Sequence, residues 1–377
     1  MKIALARASY NPFGGAERTI QSVAEAMRAG GDEPTLLTRH WPDNAGHGIA
    51  HQVVNPRYFS KAGREKSFAN AVGRIIDARA FDLVQSYERI PGAHVYHAVD
   101  GVHAEWLERR KRGQNLMGRL GVILNPHHRA VLDLERRMYA SPTLKAVICI
   151  SQMVKDDIVR RFGVDAERCE VIHLDIDSEK FHPRVQGEFR AATRSALGIP
   201  SSAPVVVFAG SGFVRKGVAA FLQALFLLPD AHGIVVGHDK ALSQFRAMAI
   251  ALGVGGRAHF TGGVKDVRPY YGAADVFLMP TLYEPFGLVY GEAMACGLPA
   301  IVSRDAGAQD WIVEGKNGYV VDPMDIGAMA RAVEAALANP GMREAARESV
   351  LPYTAATAAL KYRALYQRLG ARRAPGP

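Results

Sequence analysis

Cysteine is scarce in this chain: three residues in 377, at Cys149, Cys169 and Cys296. Scattered so widely, they build neither a disulfide framework nor a zinc site. No apolar run approaches the roughly 18 residues that span a bilayer. The opening Met1-Lys-Ile-Ala-Leu-Ala enters a strand-like pattern at once, without the layout of a signal peptide. These absences predict the cytoplasm. Acidic residues are also short, 37 against 46 Lys and Arg, which leaves a net charge of +9. A surplus of that size calls for an anionic partner. Nucleic acid, an anionic membrane surface and a phosphorylated substrate all qualify, but no nucleic-acid-binding motif favours the first. What is present is ordinary for a globular chain, 48% hydrophobic and 22% charged. The length suits two domains, each large enough for its own core.

The most informative stretch runs from Asp275 to Val302. Asp275-Val-Phe-Leu-Met279 reads as a buried strand, stopped by Pro280, which cannot extend a central strand. Leu288 to Cys296 has helical periodicity, and Ala300-Ile-Val302 reads as the next strand. Strand, loop, helix and strand make one parallel crossover, so the fold class is α/β. The loop lies at the carboxyl end of its strand, where ligands of open α/β sheets bind. It carries Glu284, and the helix carries Glu292, with seven residues between them. Phe286-Gly287-Leu288 opens the helix, whose first N–H groups have no partner within it and can meet an oxygen-rich ligand. Carboxylates accept hydrogen bonds from paired hydroxyls, as a sugar or a ribose presents them. Two solvated surface glutamates are an equally good reading of the spacing alone.

Taken with its flanks, Glu284-Pro-Phe-Gly…Glu292-Ala-Met-Ala-Cys-Gly-Leu-Pro299 resembles the E-x7-E signature of retaining glycosyltransferase family 4. The resemblance implies the GT-B fold: two Rossmann-like domains, an interdomain cleft and a C-terminal helix crossing back to the first domain. It implies that Glu284 and the amides of Phe286, Gly287 and Leu288 hold the donor sugar, and that Glu292 binds the ribose. By the same likeness the domains are 1–172 for the acceptor, 173–200 as linker, 201–352 for the donor and 353–370 as the returning helix.

Elsewhere the chain offers further candidates. Gly210-Ser-Gly-Phe-Val-Arg-Lys-Gly217 follows a strand and leads into a helix. Cations at a helix N-terminus oppose its dipole unless an anion arrives, so Arg215 and Lys216 suit a diphosphate, Arg bidentately and Lys as a point charge. The family's G-x5-K-G phosphate clamp is similar. Gly14 and Gly15, between a strand and a helix, resemble the family's loop facing the donor diphosphate and acceptor. The same resemblance implies that the nucleotide base lies against Val264. Asp100, just past a strand end, reads either as an acceptor-site carboxylate or as the cap of a helix starting near His103. Tyr96-His-Ala-Val-Asp100 is similar to a segment of the bacterial lipopolysaccharide core α-glucosyltransferases acting on heptose, which favours the first, with His97 as the alternative. Asp175-Ile-Asp177 is not read as a metal motif, because it aligns with the family's linker. No metal or cofactor is expected beyond a nucleotide-sugar substrate, with UDP-glucose the expected donor.

Two basic segments mix cations with apolar residues. One is 57–79, with Tyr58, Phe59 and Phe68. The other is 103–137, with Leu116, Met117, Leu120 and Val122-Ile-Leu124. They suit an anionic lipid interface or an ordinary solvated face. The resemblance to the core glucosyltransferases implies the first, and with it a peripheral enzyme on the cytoplasmic face of the inner membrane, acting on a lipid-linked glycan. Other donors (mannose, N-acetylglucosamine, galactose) and a UDP-N-acetylglucosamine 2-epimerase of the same fold are the alternatives. Oligomeric state is not legible.

Overall fold

Apolar runs and turn residues alternate along the chain, and the computed structural model, which describes residues 1–10, 15–42, 48–113 and 121–371, turns each run into a parallel strand. Two compact units result. One comprises Met1–Leu174 together with the C-terminal helix Ala355–Ala371, and the other comprises Asp175–Thr354.

The first unit holds β1 (Lys2–Ala6), β2 (Glu33–Thr38), β3 (Ala50–Val53), β4 (Leu83–Ser86), β5 (Val95–His97), β6 (Ala146–Cys149) and β7 (Cys169–Val171). They lie in the order β3-β2-β1-β4-β5-β6-β7, all parallel. The second holds β8 (Val205–Ala209), β9 (His232–Val236), β10 (Ala258–Gly262), β11 (Val276–Met279), β12 (Ala300–Ser303) and β13 (Gly318–Val321). Their order is β10-β9-β8-β11-β12-β13. Each sheet is wound outward in both directions from its first strand, so connections leave to opposite sides at β1/β4 and at β8/β11. Those switch points open a crevice at the carboxyl ends of the strands.

Local chemistry sets the helix ends. Ser151 caps Gln152–Phe162 by accepting from the Val154 amide at 3.2 Å, and Gly163 closes that helix in the left-handed region at φ 65°. Asn125 caps Pro126–Tyr139 through the His127 amide. The C-terminal helix completes the first unit's core. Tyr362, Leu365, Tyr366 and Leu369 pack with Ile3 and Leu5 of β1 and with Ile20, Val23 and Met27 of the Gly15–Ala29 helix. The Tyr366 hydroxyl donates to Gln85 Oε1 at 2.6 Å, which satisfies a buried amide group on β4.

The 173–200 stretch is not an open linker. The boundary falls between Leu174 and Asp175, and Val185–Ala196 forms a helix belonging to the second unit. Gly272 makes this docking possible, because a Cβ there would stand 2.3 Å from the Val185 carbonyl oxygen. Arg194, buried in that helix, donates to the carbonyls of Ala273, Ser201 and Ala203 and to Asp275. A contact with residues some 80 positions away leaves no local signal in the sequence.

Candidate active site

Both halves of the expected donor site lie at the β8/β11 switch point. After β8, Gly210 takes φ 147° and Gly212 φ 82°, and the four-residue helix Phe213–Lys216 follows. Asp239 fixes its start by accepting from the Phe213 amide at 2.7 Å. Gly217, at φ 83°, then redirects the chain into the helix Val218–Phe226. These glycines are sterically required. A Cβ on Gly217 would lie 1.9 Å from the Pro280 carbonyl oxygen, and one on Gly210 would lie 2.6 Å from Lys216 Cδ. The Lys216 stem therefore rests across bare backbone.

The loop after β11 is tied to this turn from several directions. The Leu282 amide and the Thr281 hydroxyl both donate to the Arg215 carbonyl, at 2.8 and 3.1 Å. Ser303, at the end of β12, donates from its hydroxyl to the Thr281 carbonyl at 2.7 Å. The Glu284 amide donates to the Asp305 carbonyl at 3.0 Å, and Glu284's own carbonyl accepts from Gly307. The Glu284 backbone is thus held on two sides, which fixes where its side chain points.

That side chain meets both cations. Arg215 Nη1 and Lys216 Nζ each lie 3.1 Å from Glu284 Oε2, and Arg215 Nη1 also donates to the Tyr283 carbonyl at 2.8 Å. Oε1 has no partner among the described residues. Burial opposes ionisation of Glu284, but Lys216 and then Arg215 more than offset it, so its carboxyl is held below the ordinary range. The sequence alone assigns a diphosphate as the anion these cations await; in the structure Glu284 already plays that part.

Beyond Glu284, Phe286 is buried edge-to-face against Trp311, with ring centres 4.6 Å apart. Gly287 turns at φ 88°, where a Cβ would lie 2.7 Å from the Tyr290 ring and 3.0 Å from Glu284 Cγ. The helix Leu288–Ala295 starts there, and Glu292 stands on it, half-buried, 3.5 Å from the Tyr271 hydroxyl. Val264, half-buried, sits in the loop after β10, at the same end of the sheet but on its outer strand. Sequence reasoning gave no role to Thr281 or Ser303, whose contacts here are made with residues distant in the chain. Gly210 and Gly217, read in sequence only as ends of the clamp motif, prove to be required by close backbone approach.

In the first unit the candidates separate. Asp100 is exposed, and Arg7 Nη1 lies 3.7 Å from its Oδ2 and 3.6 Å from Glu88 Oε1. Asp100 does not cap the His103–Arg110 helix. Glu135 does, accepting from the His103 and Ala104 amides at 2.8 and 3.1 Å. His97 is fully buried against the rings of Tyr87 and Tyr362, with neither ring nitrogen hydrogen-bonded. Burial pushes its pKa down to about 3. A neutral ring sealed in the core reaches no substrate, so the structure corrects the assignment of His97 to the acceptor site. Gly15 opens the Gly15–Ala29 helix at the carboxyl end of β1. Gly14 lies outside the described residues, as do Leu116, Met117 and Leu120.

Residues 189–350 match the family described as Glycosyl transferases group 1, and residues 13–180 match Glycosyltransferase Family 4. The chain belongs to the family 4 glycosyltransferases. This transferase is 26% identical over 361 residues to the lipopolysaccharide glucosyltransferase WaaG of Escherichia coli (strain K12), covering 94% of each chain. It is 36% identical over 157 residues to the lipopolysaccharide core biosynthesis glycosyltransferase LpsE of Rhizobium meliloti (strain 1021), spanning 42% of this chain and 46% of that one. Among solved structures, the transferase superposes on WaaG with a TM-score of 0.75 at 24% identity, covering 99% of this chain and 100% of that one. It superposes on Anabaena Alr3699/HepE in complex with UDP-glucose with a TM-score of 0.72 at 20% identity, over 98% and 100% of the two chains. These likenesses establish its fold as GT-B.

Proposed function

We propose that this transferase moves glucose from UDP-glucose to a heptose of a lipopolysaccharide core, with retention of anomeric configuration. The observation that carries the reading is the meeting of Arg215, Lys216 and Glu284 at the β8/β11 switch point, with Glu292 on the following helix. Support for the acceptor and donor classes comes from the names of its relatives: one is a lipopolysaccharide glucosyltransferase, one acts in lipopolysaccharide core biosynthesis, and one fold neighbour holds UDP-glucose.

In this reading the donor diphosphate takes its place among the cations now shared by Glu284. Arg215 grips it, Lys216 adds a point charge, and Glu292 accepts from the ribose hydroxyls. Glu284 Oε1 and the amides from Phe286 to Leu288 hold the sugar, Val264 backs the base, and Gly14-Gly15 and Asp100 serve the acceptor side. The bond between the anomeric carbon and the phosphate oxygen breaks as the acceptor oxygen attacks the same face. The acceptor proton passes to the departing phosphate. Negative charge grows on that phosphate, and cations fixed in advance by Gly210, Gly217 and Thr281 stabilise the transition state more than the ground state. Side chains and amides carry this charge, so the chemistry calls on no resident cofactor or metal.

Membrane attachment belongs to the same proposal. Among the described residues no helix is long and apolar enough to cross a membrane. Arg57, Lys61, Arg64, Lys66, Arg74 and Arg79 are all exposed, beside a fully exposed Phe59. That surface suits peripheral binding to the anionic cytoplasmic face of the inner membrane. In the second basic segment, Ile123 and Leu124 are exposed, but Arg109 is committed to Asp157.

The test is turnover of a panel of UDP-, GDP- and ADP-sugars with heptose-terminated core glycolipid. UDP-glucose should give a glycolipid one hexose heavier, and Lys216→Ala should remove that product. Preference for another donor would reassign the sugar. Conversion of UDP-N-acetylglucosamine without any acceptor would replace the reading with an epimerase.

A further inference from the structure

The opposite end of the second unit's sheet carries a basic cluster that the transfer chemistry does not use. Before β8, β11 and β12, a cavity of about 360 Å³ is lined by Arg190, Ser202, Asp275, Pro340 and Arg343, among others. Three guanidiniums, from Arg190, Arg194 and Arg343, gather around one carboxylate, Asp275. Formally that is 3 − 1 = +2. A β-strand advances about 3.3 Å per residue, so β8 alone sets this cluster roughly 15 Å from the Lys216 end.

The three arginines are unequal. Arg194 is buried and saturated by carbonyls and by Asp275 Oδ2, and it pins its helix to the sheet. Asp275 Oδ2 also accepts from the Val205 amide at 2.9 Å. Arg190 takes Oδ1 at 2.7 Å and remains about one-third exposed toward the cavity. By then the carboxylate has little left to offer. Arg343 stands 3.9 Å from Oδ1, makes one long contact of 3.5 Å to the Asp275 carbonyl, and keeps Nη2 buried with no hydrogen-bond partner. Burial, reinforced by Arg190, lowers its pKa from the ordinary arginine value. A guanidinium with spare N–H groups at the wall of a cavity, beside a second one that is accessible, is the arrangement that grips an oxyanion bidentately.

We propose that Arg343 and Arg190 form a second anion site, for a phosphate group, at the amino-terminal end of the second unit's sheet. Arg343 reorients to give the phosphate oxygens the N–H groups that Asp275 cannot satisfy, and Arg190 donates from the other side while keeping its bond to Oδ1. The Ser202 hydroxyl lies on the exposed rim. Two sources supply such a group: free phosphate or a soluble phosphomonoester, and the headgroup of an anionic lipid.

The experiment is calorimetric titration of the intact protein with inorganic phosphate, against chloride at equal ionic strength. The expected result is a phosphate site retained by Arg215→Ala and weakened at least tenfold by Arg343→Gln. Arg343→Lys should recover part of the affinity. Vesicles containing phosphatidic acid whose binding depends equally on Arg343 would assign the phosphate to lipid; dependence confined to the soluble anion would assign it to free phosphate. Affinity unchanged in Arg343→Gln, or lost instead in Arg215→Ala, overturns the proposal. Should the Arg343 variants not fold, selenate soaked into crystals of the unaltered protein and located by its anomalous signal decides the matter. Selenium found only at the Arg215 end counts against a second site.

Discussion

At the scale of single residues, the β8/β11 switch point carries a triad of net charge +1 in which one glutamate oxygen serves two cations. Lys216→Ala is expected to lower kcat/KM by about 10²–10³, the usual loss when a fixed charge-stabilising group is removed. Steady-state rates on UDP-glucose would measure it, and near-normal turnover would remove the clamp. Glu284→Gln should also cost stability, in a pH-dependent way. Because the folded-state carboxyl titrates below its ordinary value, its contribution is complete above that value and disappears as pH falls through the lowered one. Denaturant midpoints of wild type and Glu284→Gln should therefore differ at pH 7 and converge in acid. Gly210→Ala probes the floor under Lys216. The positive φ disfavours any side chain, at a cost of about 1–3 kcal/mol, and the new methyl would displace the lysine stem. Loss of kcat in a variant that still folds is the expected outcome.

At the scale of elements, Glu135 shows how a helix can be started from far away. This buried carboxylate accepts two amides at the start of His103–Arg110 and the Arg89 Nε–H at 3.0 Å. Glu135→Ala would take the carboxylate from the half-buried Arg89, leaving it only the Gly101 carbonyl among the described residues, and would uncap the helix. Removing one partner of such a pair costs about 3–5 kcal/mol when buried, and urea unfolding would read the loss directly. The same case marks what the sequence could convey. Strands such as Val276–Met279 and Ala146–Cys149 announce themselves as apolar runs, and Ser151 sits beside the helix it caps. The E-x7-E pair and the Arg215-Lys216 step are local, and therefore legible. A cap donated from 32 residues downstream is not, so Asp100 stood as a rival for a task that Glu135 performs. The Val185–Ala196 helix was hidden for the same reason: its docking depends on Gly272 and Asp275, and its own residues read as linker. His97 misled differently, because an imidazole in an apolar strand is chemically able to bind substrate until its burial is known.

At the scale of the whole molecule, the buried His97 and the half-buried His103 contribute to the response to acid. His97 and His103 both have pKa values pushed down to about 3, by burial and, for His103, also by Arg89 and the neighbouring histidines. Unfolded, they would bind protons below about pH 6.5. Between those limits the unfolded state holds more protons, so stability rises with pH across the window by up to ~1.4 kcal/mol per unit for each histidine. His97→Phe keeps the ring contacts and removes the proton site. It should flatten the slope measured by denaturant unfolding between pH 4 and 6.5 without loss of activity. Finally, the helix Ala355–Ala371 lies in the core of the unit that begins at Met1. On the ribosome, therefore, β1 waits for a helix that is made only after the whole second unit. A nascent chain carries an open apolar trough along β1 while the intervening unit, whose residues are contiguous, is free to close. Premature termination before Tyr362 would leave that trough uncovered, and such products would be prey for chaperones and proteases despite an undamaged second unit.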